Sequence, residues 1–303
     1  MALAVASTST ASTNNANNVV VTKPTGVQVG DLLLIASWSN PNGTATCTGF
    51  SEAARVNYDA PGGVPDSGVV LLYRIADSSD VSASNYTIEF NGAGDTDDSG
   101  SAAMLRVTGW TTGNPVFQYS SVSSYQDATS FTLTSGTIAL KRPSASLLLM
   151  ISSMNTNNSP YSTATFSGYS ITSGVANPSW TEVIDVAVGV QSGPQVSLSV
   201  AYANSTSTTD ITQFSVTGAT DTGGTDDSET AMLCVLCEPV SPTTDISHNA
   251  VPPTIHAPTV TQVNVAPTLS HNAVPPTIHA PTARATSPTQ WQNEDKPSTA
   301  WIN

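Results

Sequence analysis

Apolar and polar residues alternate in short runs through the first 240 positions, and clusters of Gly, Pro, Asn and Asp separate the runs. Val196, Leu198, Val200 and Tyr202 alternate with Ser197, Ser199 and Ala201, the two-residue period of a half-buried strand. Leu32–Ile35 and Leu147–Met150 are unbroken apolar runs, which suit a central strand. Strands are predicted at Asn18–Thr22, Asp31–Ser37, Val69–Ile75, Tyr86–Phe90, Ala102–Val107, Phe131–Thr134, Leu147–Ser152, Val183–Val188, Val196–Tyr202 and Ala231–Leu236. The intervening clusters supply hairpin and corner connections. No window sustains a 3.6-residue period, so the body is predicted to be all-β.

An internal repeat organises these runs. DLLLIAS (Asp31–Ser37) is answered by SLLLMIS (Ser146–Ser152), and TDDSGSAAMLRV (Thr96–Val107) by TDDSETAMLCV (Thr225–Val235). Two similar runs of strands, each unable to close a core alone, are expected to pack face to face as one duplicated β-sandwich, jelly-roll-like. No linker separates the halves, since the join from Gly113 to Arg142 itself reads as strand. The expected organisation is an N-terminal arm (1–16), a sandwich body (17–240, with pseudo-repeats 17–112 and 130–240) and an extended tail (241–303).

The texture changes after Pro239. SHNAVPPTIHAPT occurs at Ser247–Thr259 and again, unchanged, at Ser270–Thr282. Its Pro density excludes helix and central strand and favours extended backbone. With so few large apolar residues, the segment cannot bury a core of its own. It is a solvated linker, an arm laid on a partner or one strand of a multi-chain fibre; exact repetition of the unit favours the arm or fibre, anchored by Ile255 and Ile278. Trp291 and Trp301 stand in an otherwise polar ending, where each ring offers apolar area to a pocket on another surface.

Composition narrows the function classes. Only 10% of residues are charged, and the net charge of -14 argues against nucleic acid, whose phosphates need clustered Lys and Arg. No apolar run reaches the roughly 18–20 residues of a membrane helix. The start, MALAVASTSTASTNN, lacks the basic n-region of a signal peptide, so cytoplasmic synthesis and release by another route, such as lysis, are expected. Three cysteines make a disulfide framework improbable. Cys234 and Cys237 fall three apart on a predicted strand and should face opposite sides, so buried free thiols are expected.

Enzyme constellations are missing. His248, His256, His271 and His279 all lie in the repeat tail, where a Pro-rich arm cannot hold catalytic geometry. No catalytic residue is assigned. Asp95, Asp97 and Asp98, with Asp221, Asp226 and Asp227, sit in Gly-Asp-rich loops whose clustered oxygens suit calcium. Their spacing is not that of an EF-hand, and Asp also simply initiates turns. Trp38, Tyr58, Trp110, Tyr125, Tyr161 and Trp180 are the aromatics that could present a glycan site, against the plainer expectation that they pack the core.

Two stretches resemble known families. KPTGVQVGDLLLIASWS (Lys23–Ser39), VVLLYRIAD (Val69–Asp77), NYTIEF (Asn85–Phe90), SAAMLRVTGW (Ser101–Trp110) and TAMLCVLCEP (Thr230–Pro239) resemble a β-sandwich module of phage structural proteins and some secreted bacterial proteins. The ending NEDKPSTAWIN, with Lys296, Pro297, Ser298, Thr299, Trp301 and Asn303, is similar to a C-terminal motif of phage structural proteins, and the PTIHAPT units to repeats of phage appendages. The resemblance implies a non-enzymatic virion component, a head decoration or a head or tail fibre. Its expected partners are other virion proteins and sister chains, with a homotrimer the expected state. Ile255, Ile278, Trp291, Lys296, Pro297 and Trp301 are the expected attachment residues. The alternative is a glycan- or receptor-binding adhesin module.

Overall fold

The computed structural model describes residues 3–14, 17–38, 44–59, 67–91, 100–110, 115–126, 129–142, 144–156, 164–189, 195–220 and 227–237. The first half forms β1 (Ala4–Thr13), β2 (Asn18–Thr22), β3 (Leu32–Trp38), β4 (Thr44–Cys47), β5 (Ser51–Tyr58), β6 (Ser67–Ile75), β7 (Asn85–Asn91) and β8 (Gly100–Thr108). The second forms β9 (Val116–Gln126), β10 (Ser130–Thr134), β11 (Ser146–Thr156), β12 (Ala164–Thr172), β13 (Thr181–Gly189), β14 (Gln195–Ser205), β15 (Gln213–Thr220) and β16 (Asp227–Cys237). The body is all-β, as its pattern predicts. One helical turn, α1 (Ser78–Ser82), interrupts it where Asp77 and Asp80 form a capping box. Residues 4–13, expected within an N-terminal arm, instead pair as β1 along β8.

The duplication is complete at the level of topology. The first half arranges its strands as a five-stranded sheet, β1-β8-β3-β6-β5, over a three-stranded one, β2-β7-β4. Adding eight to every number gives the second half, β9-β16-β11-β14-β13 over β10-β15-β12. Register follows suit: Ser37 pairs with Ala102 in the first half and Ser152 with Ala231 in the second. Even a β-bulge recurs, between Glu52 and Ala54 on β5 and between Glu182 and Ile184 on β13.

Each half is already two layers thick, which the sequence reading did not foresee. Val19, Val21, Ile88 and Phe90 of the small sheet cover Leu33, Ile35 and Met104 of the large one. Phe131, Phe166, Phe214 and Val216 cover Leu148, Met150 and Leu233 in the second half. The two large sheets then meet through Leu32, Leu34, Leu71, Leu105, Leu149, Ile151, Leu198 and Met232. Four layers of three, five, five and three strands result. This explains why β3 and β11 read as continuous apolar runs: each central strand has protein on both faces.

The central interface is reciprocal. β6 meets β11 and β16 while β14 meets β3 and β8, and β5 meets β9 while β13 meets β1. Each of these contacts therefore has a counterpart with the halves exchanged, the signature of an isologous, twofold-like interface.

Candidate functional site

Most residues singled out in the sequence lie outside the described residues. That holds for Ile255, Ile278, Trp291, Lys296, Pro297 and Trp301, and for Asp95, Asp97, Asp98, Asp221 and Asp226. Asp227 opens β16, paired with Thr156 and Gln126 through its backbone. Tyr161 and the four histidines also lie outside them. Among the described residues, no group of three or more His, Cys, Asp or Glu converges as a metal site.

The cysteines are buried free thiols. Cys234 faces the central core and Cys237 the second half's own core, so the two point to opposite sides of β16. Burial raises both thiols above their ordinary range and pushes Cys47 up to about 11. None is primed as a nucleophile.

The described aromatics divide between packing and surface. Trp38 is buried, its ring edge-on to Phe90 at 5.8 Å. Trp110 packs against the central core, and Tyr58 is half-buried at the end of β5. Tyr125 is exposed on β9. Trp180 lies half-buried beside Tyr169, ring centroids 6.0 Å apart.

This last pair belongs to a polar clasp that closes the second half. The Asn177 amide donates to Tyr169 O at 3.0 Å, and its Oδ1 accepts from Ile171 N at 3.1 Å and Trp180 Nε1 at 3.3 Å. Tyr169 OH lies 2.5 Å from Ser199 Oγ and 3.1 Å from Glu182 Oε2. Nearby, Ser197 Oγ accepts from Ala164 N at 2.8 Å and Asp185 Oδ2 from Phe166 N at 2.9 Å. Edge strand β12 is thus tied by side chains to β13 and β14 of the opposing sheet. Ser197 and Ser199, expected on an outward polar face, are fully buried partners of β12.

The first half solves the same closure with the opposite charge. Arg55, at the position on β5 that Asp185 holds on β13 relative to the bulge, donates to Ala45 O of β4 at 3.2 Å. Burial raises the Asp185 carboxyl to about 6, against the lowering effect of the Phe166 N–H bond. A raised carboxyl and a nearby Glu182 could suggest acid–base chemistry, but Asp185 Oδ2 is committed to the Phe166 N–H, and the Asn177 amide ties Tyr169 O, Ile171 N and Trp180 Nε1. The arrangement is a structural closure. Nothing in the sequence flagged it, although Glu52 and Glu182 mark equivalent bulges.

A second polar centre ties α1 down. Asp80, buried, accepts from Arg74 Nε at 2.9 Å, Tyr86 OH at 2.9 Å and Asp77 N at 2.8 Å. Its counterpart in the second half uses a buried guanidinium. Arg142 donates to Thr209 O at 2.5 Å and to Ser205 Oγ at 2.8 Å, holding the β14–β15 connection. Comparison with known proteins finds no matching family model, curated protein or solved structure.

Proposed function

We propose that the chain is a non-enzymatic structural component of a phage particle. In this reading its four-layer body stands on the particle surface or in an appendage, and residues 241–303 attach it to other virion proteins and to sister chains. The observation that carries the reading is the C-terminal sequence. A 13-residue unit repeated without change and the ending KPSTAWIN are hard to reconcile with a mere spacer, because a spacer needs only composition. The fold is compatible with this role. Its large sheets are covered on both faces, and the outer face of the second small sheet is lined by Ser130, Thr132, Thr134, Thr165 and Ser167, a neutral hydroxyl surface.

The test is truncation after Pro239. The shortened chain should keep its cooperative unfolding and fail to appear in purified particles, read by mass spectrometry of particle proteins. Normal incorporation of the shortened chain would overturn the assignment of attachment to residues 241–303. Absence of the intact chain from particles would overturn the virion reading itself.

A further inference from the structure

Sheet edges expose unpaired backbone groups, and proteins blunt them with bulges, charges, short strands or covering side chains. Among the described residues, seven of the eight edge strands carry such a device. β1 is bulged between Val5 and Ser7, and Ser7 and Ser9 bond the carbonyls of Thr25 and Thr22. β5 and β13 are bulged and carry Glu52, Arg55, Glu182 and Asp185. β12 is bulged between Ser167 and Ser170. β2, β4 and β10 span only 5, 4 and 5 residues.

β9 is the exception. It runs for 11 residues, pairs with β16 without a bulge from Val116 to Gln126, and contains no charged residue and no Pro. At one end the Gln118 side chain grips the backbone of Lys141, at 3.0 and 2.9 Å. Beyond that point no described strand covers its outer edge. Tyr119 and Tyr125 are exposed on it at 47% and 36%.

We infer that β9 is a self-association edge, pairing antiparallel with β9 of a second copy to join two five-stranded sheets into one of ten. Its sequence selects that occupant. Gln118–Gln126 reads QYSSVSSYQ, the same in both directions about Val122. Antiparallel pairing centred there sets Val122 against Val122 of the other copy. Each Tyr119 then faces a Tyr125, and serines face serines. Aromatic pairs and hydroxyl pairs are favourable cross-strand partners. The edge is also neutral, so two chains of charge -14 meet there without opposed carboxylates. A twofold arrangement buries the same edge on both copies and closes on itself. The inference holds whether or not the chain belongs to a particle, because it involves no residue of 241–303.

The full-length chain decides it. Sedimentation velocity should give an even multiple of the 31.2 kDa chain mass, and Ser121→Lys should halve that mass while far-UV circular dichroism stays unchanged. Lys is the residue natural edges use against such pairing. Register is tested by oxidation. Val122→Cys should cross-link to a dimer on a non-reducing gel, since directly opposed Cα atoms lie about 4.5–5.5 Å apart. Ser120→Cys should not, because its own copy lies about 13 Å away along the strand, whereas Ser120→Cys combined with Ser124→Cys should cross-link. A monomeric wild type, or cross-linking by Ser120→Cys as efficient as by Val122→Cys, would overturn the inference. Should Ser121→Lys fail to fold, the cross-linking result stands alone.

Discussion

Replacing Gly218 by Ala should unsettle the second half more than any other single methyl addition among the described glycines. Gly218 sits in the middle strand of its sheet, directly between Phe131 and Phe166 on the neighbouring strands. Both rings lean across it, edge-on at 6.0 Å. A Cβ at Gly218 would lie 2.1 Å from Phe131 Cζ, with two further ring atoms within 2.7 Å. Phe131 is 3% exposed and Phe166 2%, so neither ring has free space to enter. Overpacking of this kind costs about 1–3 kcal/mol, and disturbing the ring pair about 1 more. The reduced freedom of Ala in the unfolded chain returns about 0.5–1. The net expectation is a loss of about 1–3.5 kcal/mol, centred near 2, or roughly 4–8 °C in Tm at that centre for a body of this size. Phe131→Leu alone should cost about 1–1.5 kcal/mol. In the double variant the smaller side chain makes room for the methyl group, so the combined loss should stay near that of Gly218→Ala or below it. Urea unfolding of the four proteins gives the coupling, expected at about 1.5 kcal/mol. Additivity within about 0.5 kcal/mol would refute the steric account.

Gly100→Ala should act likewise in the first half, since its Cβ would lie 2.2 Å from Phe90 Cε2, and Phe90→Leu should relieve it in the same urea assay. Asp185→Asn tests the closure of β12 by pH. The unfolded carboxyl titrates near 3.8 and the folded one near 6, so the folded state binds more protons between those values. Stability of the natural protein should therefore fall as pH rises from about 4 to 6, and Asn, which still accepts from Phe166 N–H, should flatten that slope in urea midpoints measured across the window. An unchanged slope would mean that Asp185 is not the group responsible. Asp80→Ala should cost about 3 kcal/mol, because Arg74 and Tyr86 lose a buried common partner. Tyr86→Phe should cost about 1 kcal/mol in the same unfolding measurement.

How much of this was legible in the sequence varies with the kind of signal. Ten strands could be read because Val, Leu and Ile cluster in them. β1, β4, β5, β12 and β15 were given no bounds, and β9 only a place within the strand-like join; in β1 and β9, AVASTSTAST and VFQYSSVSSYQ lack that density. Their strand character comes from pairing with β8 and β16, a long-range fact that local pattern does not carry. The unbroken runs at β3 and β11 signalled centrality but could not say what covers each face. A layer of three strands and a sheet of five serve equally well, so four layers and two layers give the same one-dimensional pattern. The attachment candidates, and the calcium candidates other than Asp227, which opens β16, lie outside the described residues.

Comparison of the halves separates what the fold requires from what each copy is free to change. Strand order, pairing register and the bulges of β5 and β13 are common to both. The closing interaction next to the bulge is not: a guanidinium donates to a carbonyl in one half, and a carboxylate accepts from an amide in the other. An edge strand offers both kinds of backbone group, so either charge can tie it, and only the presence of a tie is constrained. The same reasoning sets β9 apart from β1. β1 is bulged and bonds the Thr25 and Thr22 carbonyls through Ser7 and Ser9, whereas its counterpart β9 keeps Gln118 on Lys141 and then runs without a bulge as a neutral, tyrosine-bearing stretch with no described strand beside its outer edge. When two copies share a fold and one abandons a protection the other retains, the difference calls for a cause outside the fold. A second chain at that edge supplies one.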